Sequence, residues 1–139
     1  MARHKSYIPH GVIPAVLLPF DANLEIDEPN FRKHLRDVGS TPGITAITIN
    51  AHSTEVASCT FEEQRRVLAI AQDEIGGRLP LINGIWADGS LEAARIARMA
   101  AEGGASACSS SRRRPSRSAS RRPWRSPTSS ASPTPPTCR

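Results

Sequence analysis

The sequence predicts an α/β fold assembled from repeated strand–helix units, and three observations predict it. Short apolar runs rich in β-branched residues alternate with segments of helical periodicity, the runs begin near residues 12, 44 and 79, and each helical segment stops at glycine. At a pitch of about 30 to 35 residues, eight such units need roughly the 250 residues of a closed (β/α)8 barrel. The 139 residues hold about three of them. A doubly wound sheet has similar spacing, so periodicity alone leaves both architectures open.

The first strand is predicted over 12–20, VIPAVLLPF, bounded by Gly11 and by Asp21-Ala22-Asn23. Asp27 then serves as N-cap with Pro29 in the first turn, and Phe31, Leu35 and Val38 recur at helical spacing through a helix over 28–38. Gly39 and the Pro42-Gly43 pair stop it. The second strand, 44–50, runs into the polar loop Asn50-Ala51-His52-Ser53-Thr54-Glu55. Thr60 and Glu63 form a capping box for a helix over 61–75, whose Val67, Leu68, Ile70, Ala71 and Ile75 make the inner face. Gly76-Gly77 provides a left-handed exit. The third strand, 79–85, is followed by a helix over 91–102 capped by Ser90, whose Leu91, Ala94, Ile96, Ala97, Met99 and Ala100 precede Gly103-Gly104 as its stop. No glycine-rich phosphate loop follows the first strand, and the loop after the second is the richest in functional groups.

Charge divides the chain at residue 107. Residues 1–107 hold ten Lys or Arg against 13 Asp or Glu, whereas 108–139 comprise ten Ser, eight Arg, six Pro, three Thr, two Ala, two Cys and one Trp. The net charge of +5 therefore belongs to the tail and is no nucleic-acid signal from the body. Such a tail is too poor in apolar residues to order itself and is expected to be disordered. Cys59 is the one cysteine of the body, with Cys108 and Cys138 in the tail, which supplies neither a disulfide framework nor metal-ligand spacing. No signal-peptide pattern or membrane-length apolar run is present, so the expectation is a cytoplasmic protein without membrane attachment.

The ordered motifs separate the two architectures. Pro19-Phe20 ends the first strand and Ile26-Asp27 introduces the first helix; Ala51-His52-Ser53-Thr54-Glu55 is followed by Phe61-Glu62-Glu63-Gln64-Arg65; Pro80 and Asn83-Gly84 mark the third strand; and Ala101-Glu102-Gly103-Gly104-Ala105 closes the third helix. In this order and spacing the chain resembles the opening third of the dihydrodipicolinate synthase and N-acetylneuraminate lyase family. The resemblance implies a (β/α)8 barrel, truncated here after about three units, and a lyase acting on a pyruvate-like 2-oxo acid without metal or cofactor. In intact relatives it also implies homo-oligomers, which are not expected of this fragment.

Barrel active sites lie at the carboxyl ends of the strands, where a hydroxyl backed by loop amides binds a carboxylate without adding a competing charge. The resemblance places Ser53 there, with His52 and Thr54 beside it as substrate-binding residues and Glu55 in support. His52 stands where the family has a hydroxyl residue, and Ala51 and Thr54 replace two glycines. The bland alternatives are a turn serine bonded to its own backbone, a solvated histidine and a loop carboxylate satisfying nearby amides. Trp86 and Asp88, after the third strand, read as packing and capping groups.

The family's chemistry needs a lysine at the end of the sixth strand, whose amine forms a Schiff base with the keto substrate. The chain has only Lys5, ahead of the first strand, and Lys33, in the first helix, so no catalytic residue is assigned and the fragment is expected to be inactive. The tail supplies a cause. All of its residue types are encoded by codons with G or C in the second position, as a frameshift in a GC-rich gene produces. Shifted by one phase, residues 108–111 permit Leu or Val followed by three aliphatic or Phe residues, 112–116 permit Pro-Pro-Pro-Pro-Phe, and 132–139 permit Ile-Ala-Asp-Ala-Thr-Asp-Leu-Pro. These are a strand, a loop and the approach to another strand. The frame changes within 104–107. The rival reading is a protein whose Arg/Ser-rich tail binds RNA or a partner.

Overall fold

The computed structural model describes residues 7–112 of the chain. Its elements run α1 (Glu28–Gly39), β1 (Ile47–Ile49), a single 3-10 turn (His52–Thr54), α2 (Phe61–Glu74), β2 (Leu81–Ala87), α3 (Ser90–Glu102) and β3 (Ala107–Arg112). The three strands form one parallel sheet in the order β1-β2-β3.

The expected first strand does not form as a continuous element over 12–20. Two isolated parallel bridges, Val12 with Ile44 and Ala15 with Thr48, join this stretch to the edge of β1. Val16 N donates to Thr48 O at 3.1 Å and Thr48 N to Pro14 O at 2.8 Å. Pro14 and Pro19 have no N–H to donate, which limits a regular ladder here. β1 is likewise shorter than 44–50, and β2 lies two residues later than 79–85.

Paired residues of parallel strands point to the same side of a sheet. Ile47 and Ile49 stand opposite Leu81 and Asn83, so these side chains and Ile85 share one face. On that face Ile47, Ile49, Leu81 and Ile85 pack into one core with Phe31 and Leu35 of α1, Val67, Leu68, Ile70 and Ala71 of α2, and Ile96, Met99 and Ala100 of α3. Phe31 and Leu35 are completely buried. Each contributes about 1.5–3 kcal/mol by area burial alone.

Helix ends follow local chemistry. Asp27 caps α1 by accepting from Asn30 N at 3.1 Å. Thr60 and Glu63 close a reciprocal box at α2, with Thr60 N donating to Glu63 Oε2 at 2.6 Å and Glu63 N to Thr60 Oγ1 at 3.2 Å. The cap of α3 is Gly89, not Ser90, which is already helical, and no side chain caps this end. Leu91 and Ala94 are exposed, and the buried stripe of α3 starts only with Ile96. Gly76 and Gly77 do not provide the left-handed exit expected after α2; Gly104, after α3, does, with φ of 90°.

β3 corrects the expected boundary of the tail. Residues 108–112, assigned from composition to the disordered segment, continue a strand that pairs in parallel with β2 from Ile82 opposite Ala107 to Ala87 opposite Arg112. Backbone pairing to an existing edge is indifferent to side-chain polarity, which a compositional argument does not capture. Residues 113–139, and with them the rest of the expected tail, lie outside the described residues, as does Lys5.

A charged cluster ties α1 to α2. Arg32 contacts Glu28 at 3.0 Å, Asp73 at 2.8 Å and Glu74 at 3.1 Å, while Arg36 reaches Glu74 at 2.8 Å and Arg66 reaches Glu28 at 3.1 Å. Hydrogen bonds from Arg66 and Arg32 hold the Glu28 carboxyl below its ordinary range, and those from Arg36 and Arg32 do the same for Glu74. No helix among the described residues is long and apolar enough to cross a membrane.

Candidate functional site

Where β1 ends, the chain turns sharply. Asn50 takes φ of 51°, the turn His52–Thr54 follows, and Glu55 leaves it with φ of 52°. Thr54 N donates to Ala51 O at 3.0 Å and Glu55 N to His52 O at 3.1 Å. Left-handed backbone at two non-glycine residues carries a conformational cost that surrounding contacts must offset.

Thr54 differs from expectation. Its side chain is fully buried, and its hydroxyl donates to Val16 O at 3.1 Å while lying 3.4 Å from Ala51 N as acceptor. The hydroxyl is therefore occupied in fastening the turn to the first extended stretch. Ser53 is placed otherwise: its Oγ is buried and has no hydrogen-bond partner among the described residues. Ser53 lines a cavity of about 420 Å³ together with Leu17, Leu18, Pro19, Asn30, His34 and Glu55.

Glu55 borders the same cavity and is exposed. His52 is exposed and turns toward the neighbouring strand end, where its ring meets Trp86 edge-on with centroids 4.4 Å apart at 86°. The turn thus presents Ser53 toward residues 17–19 and His52 toward β2. Burial, with Glu63 and Glu55 nearby, pushes the Cys59 thiol up. Among the described residues no group of three or more His, Cys, Asp or Glu gathers to hold a metal ion.

Sequence reasoning missed the residues that support the turn. His34 of α1 accepts from Leu17 N at 3.2 Å and lines the cavity. Asn50, only 1% exposed, donates its side-chain amide to Gln64 O at 2.9 Å and to Asn83 Oδ1 at 2.8 Å. An asparagine ending an apolar strand was the available signal, since Asn tolerates positive φ and needs partners when buried.

Lys33 stands on α1 with its side chain 68% exposed and paired with Asp37 at 2.9 Å. It does not lie at a strand's carboxyl end.

Comparison with known proteins agrees with this geometry. Residues 8–111 match the model of the dihydrodipicolinate synthetase family. The 4-hydroxy-tetrahydrodipicolinate synthase of Salinibacter ruber is 33% identical over 95 residues, covering 68% of this chain and 31% of the relative. A protein of Pseudarthrobacter chlorophenolicus named "Probable 5-dehydro-4-deoxyglucarate dehydratase" is 38% identical over 72 residues, covering 52% and 23%. The crystal structure of dihydrodipicolinate synthase from Aquifex aeolicus superposes with a TM-score of 0.62 at 28% identity, over 72% of this chain and 33% of that one. The chain spans about a third of the length of the curated synthases it matches. Its parallel strands and backing helices are part of the (β/α)8 barrel of these neighbours, and the chain belongs to the dihydrodipicolinate synthetase family.

Proposed function

We propose that the described residues carry one side of a lyase-type active site, in which Ser53 holds the carboxylate of a pyruvate-like 2-oxo acid. The observation that carries this reading is Ser53, whose buried hydroxyl has no partner among the described residues and which lines, as a residue, a cavity of about 420 Å³ beyond the end of β1. A hydroxyl can donate to a carboxylate at this place without bringing a charge of its own. The amides of His52 and Ser53 enter no hydrogen bond within the turn, so they are free to add to it. Thr54 serves as an anchor, and His52, edge-on to Trp86, bounds the site on the β2 side.

In such a reaction a lysine amine attacks the keto carbon and water leaves; the resulting iminium takes up the electron pair of a carbon–carbon bond being broken or, where a bond is made, loses an α-proton to give the enamine that attacks the second substrate. Neither lysine of this chain is suited to that role: Lys33 is exposed and ion-paired on α1, and Lys5 precedes the first extended stretch. The 139-residue chain by itself is therefore inactive. The names of the relatives include a synthase and a dehydratase, so the second substrate is left unassigned. A cytoplasmic setting accords with cysteines that lack a disulfide framework.

The tail composition, and β3 with it, supports a change of reading frame after about residue 107. A strand alongside β2 in a barrel is normally apolar on both faces. Here it begins Ala107-Cys108-Ser109-Ser110, with the last three residues exposed, where the shifted frame permits an aliphatic run.

Two measurements test the proposal. Incubation of the 139-residue protein with pyruvate and borohydride is expected to leave Lys5 and Lys33 unmodified by mass spectrometry, whereas the frame-restored protein should gain one reduced pyruvate adduct. A trapped adduct on either lysine, with turnover lost on its mutation, overturns the inactivity. A nucleotide sequence with no continuing frame overturns the shift and directs attention to salt-dependent RNA binding by the eight arginines of 108–139.

A further inference from the structure

We propose that Asn50 is the positioning residue of the Ser53 turn, acting through a buried amide network with Asn83 and Gln64; for its link to ligand binding this rests on the functional reading above. Asn50 follows directly on β1, is 1% exposed, and adopts φ of 51°. Both hydrogens of its side-chain amide are placed, one on Gln64 O at 2.9 Å in the first turn of α2 and one on Asn83 Oδ1 at 2.8 Å on β2.

Gln64 extends the tie by donating Nε2 to Cys59 O at 3.2 Å. The segment from 51 to 59 is thus fixed at its start by Asn50, at its end by Gln64 and in the middle by Thr54 on Val16 O. Glycine at 84 is a condition of this arrangement. A Cβ there would stand 2.7 Å from the Asn50 carbonyl carbon and closer still to its oxygen.

None of Asn50, Asn83 and Gln64 borders the cavity that Ser53 lines, so the network sets geometry and does not touch a ligand. Stability alone does not require it. Buried amides among Ile47, Ile49 and Leu81 cost free energy unless paired, and apolar residues would fill the same space without that demand. A satisfied donor pair joining the end of β1 to the middle of β2 and to a helix fixes one backbone path, and it holds Asn50 in the left-handed region from which the turn starts.

The test uses the 139-residue chain, with pyruvate as probe, and begins without mutation. The side-chain amide protons of Asn50 should exchange with solvent at least about tenfold more slowly than those of exposed Asn23. In Asn50→Gly, which keeps positive φ accessible but deletes the amide, the backbone amides of Thr54, Glu55 and Val56 should exchange about tenfold faster while that of Ala71 in α2 is unchanged. Asn50→Asp keeps the size but points an acceptor at two acceptors, and should behave alike. Pyruvate-induced shifts at the Ser53 amide should disappear in both variants, as in Ser53→Ala, which leaves the exchange pattern intact.

Asn50 side-chain protons as labile as those of Asn23 overturn the proposal, as does native protection of Thr54–Val56 in either variant. Should both variants unfold, the unmutated measurement decides. Absence of any pyruvate response in the wild type counts against the functional reading, and the exchange data still judge Asn50.

Discussion

Gly84→Ala is the substitution for which the structure gives the sharpest expectation. A Cβ on residue 84 meets backbone and not a flexible side chain: the Asn50 carbonyl carbon lies at 2.7 Å and Ala51 Cα at 3.1 Å, with the Asn50 oxygen nearest of all. Ordinary contact between such atoms is about 3.5 Å, so the 50–51 peptide must retreat by roughly 1 Å. It cannot retreat alone. Asn50 is tied to Gln64 O and Asn83 Oδ1, and the movement stretches both bonds from 2.9 and 2.8 Å beyond useful length. Overpacking of this kind costs about 1–3 kcal/mol, and each buried donor or acceptor left without a partner adds about 1–3 kcal/mol. The expected loss is therefore at least about 3 kcal/mol, read from the urea midpoint at unchanged slope. Gly77→Ala is the internal control. Nothing lies within 4 Å of its Cβ position and its φ is not positive, so it should be neutral or stabilising by up to about 1 kcal/mol. A Gly84→Ala midpoint equal to that of Gly77→Ala would refute the close approach of the 50–51 peptide to the middle of β2.

Two further outcomes follow from the helix ends and the charged cluster. Glu28 and Glu74 ionise more readily in the folded chain than as free carboxyls, so their contribution is present above the ordinary carboxylate range and is lost as pH falls through their depressed folded values. Urea midpoints should be level near neutrality and decline below about pH 4.5; in Arg32→Met the decline should be shallower, and the variant should lose at most about 1 kcal/mol at neutral pH, less in high salt. Thr60→Ala should cost about 1 kcal/mol, and an NMR titration should find the Glu63 carboxyl moved part of the way back toward its ordinary range, because the Thr60 backbone amide still bonds it.

The helices were legible because their signals are local. Asp27 and the Thr60–Glu63 box depend on three consecutive peptide units, and the inward stripes of α1 and α2 repeat often enough to define a face. The strand limits were less so. Whether residues 12–20 make a ladder depends on where Pro14 and Pro19 fall against an edge, and whether 107–112 pair depends on the free edge of β2, neither of which a window of sequence contains. Leu91 shows the same limit from the other side. It fits the helical period of α3, yet at the first turn the helix has not reached the core, and the residue is 87% exposed.

The site divides along the same line, and the division explains why its most informative residue was the one without a reactive group. Ser53, His52 and Glu55 were candidates because the resemblance marks the loop and a hydroxyl or carboxylate advertises chemistry. Thr54 was a candidate on the same ground, and only the distance to Val16 O reveals that its hydroxyl is already engaged. Asn50, Asn83 and Gln64 lie 14 and 33 residues apart as measured from Asn50, and nothing in any one of their neighbourhoods predicts that three amides meet. What the sequence did contain was a conflict, an asparagine ending one buried strand and an asparagine–glycine pair inside the next. Local rules that disfavour polar residues and glycine in buried strands are violated where the geometry of a site outweighs strand propensity. One violation falls at the carboxyl end of β1 and the other in the middle of β2, and the two are joined by the Asn50–Asn83 hydrogen bond, so the places where the strand pattern fails mark where the turn that carries Ser53 is tied to the sheet.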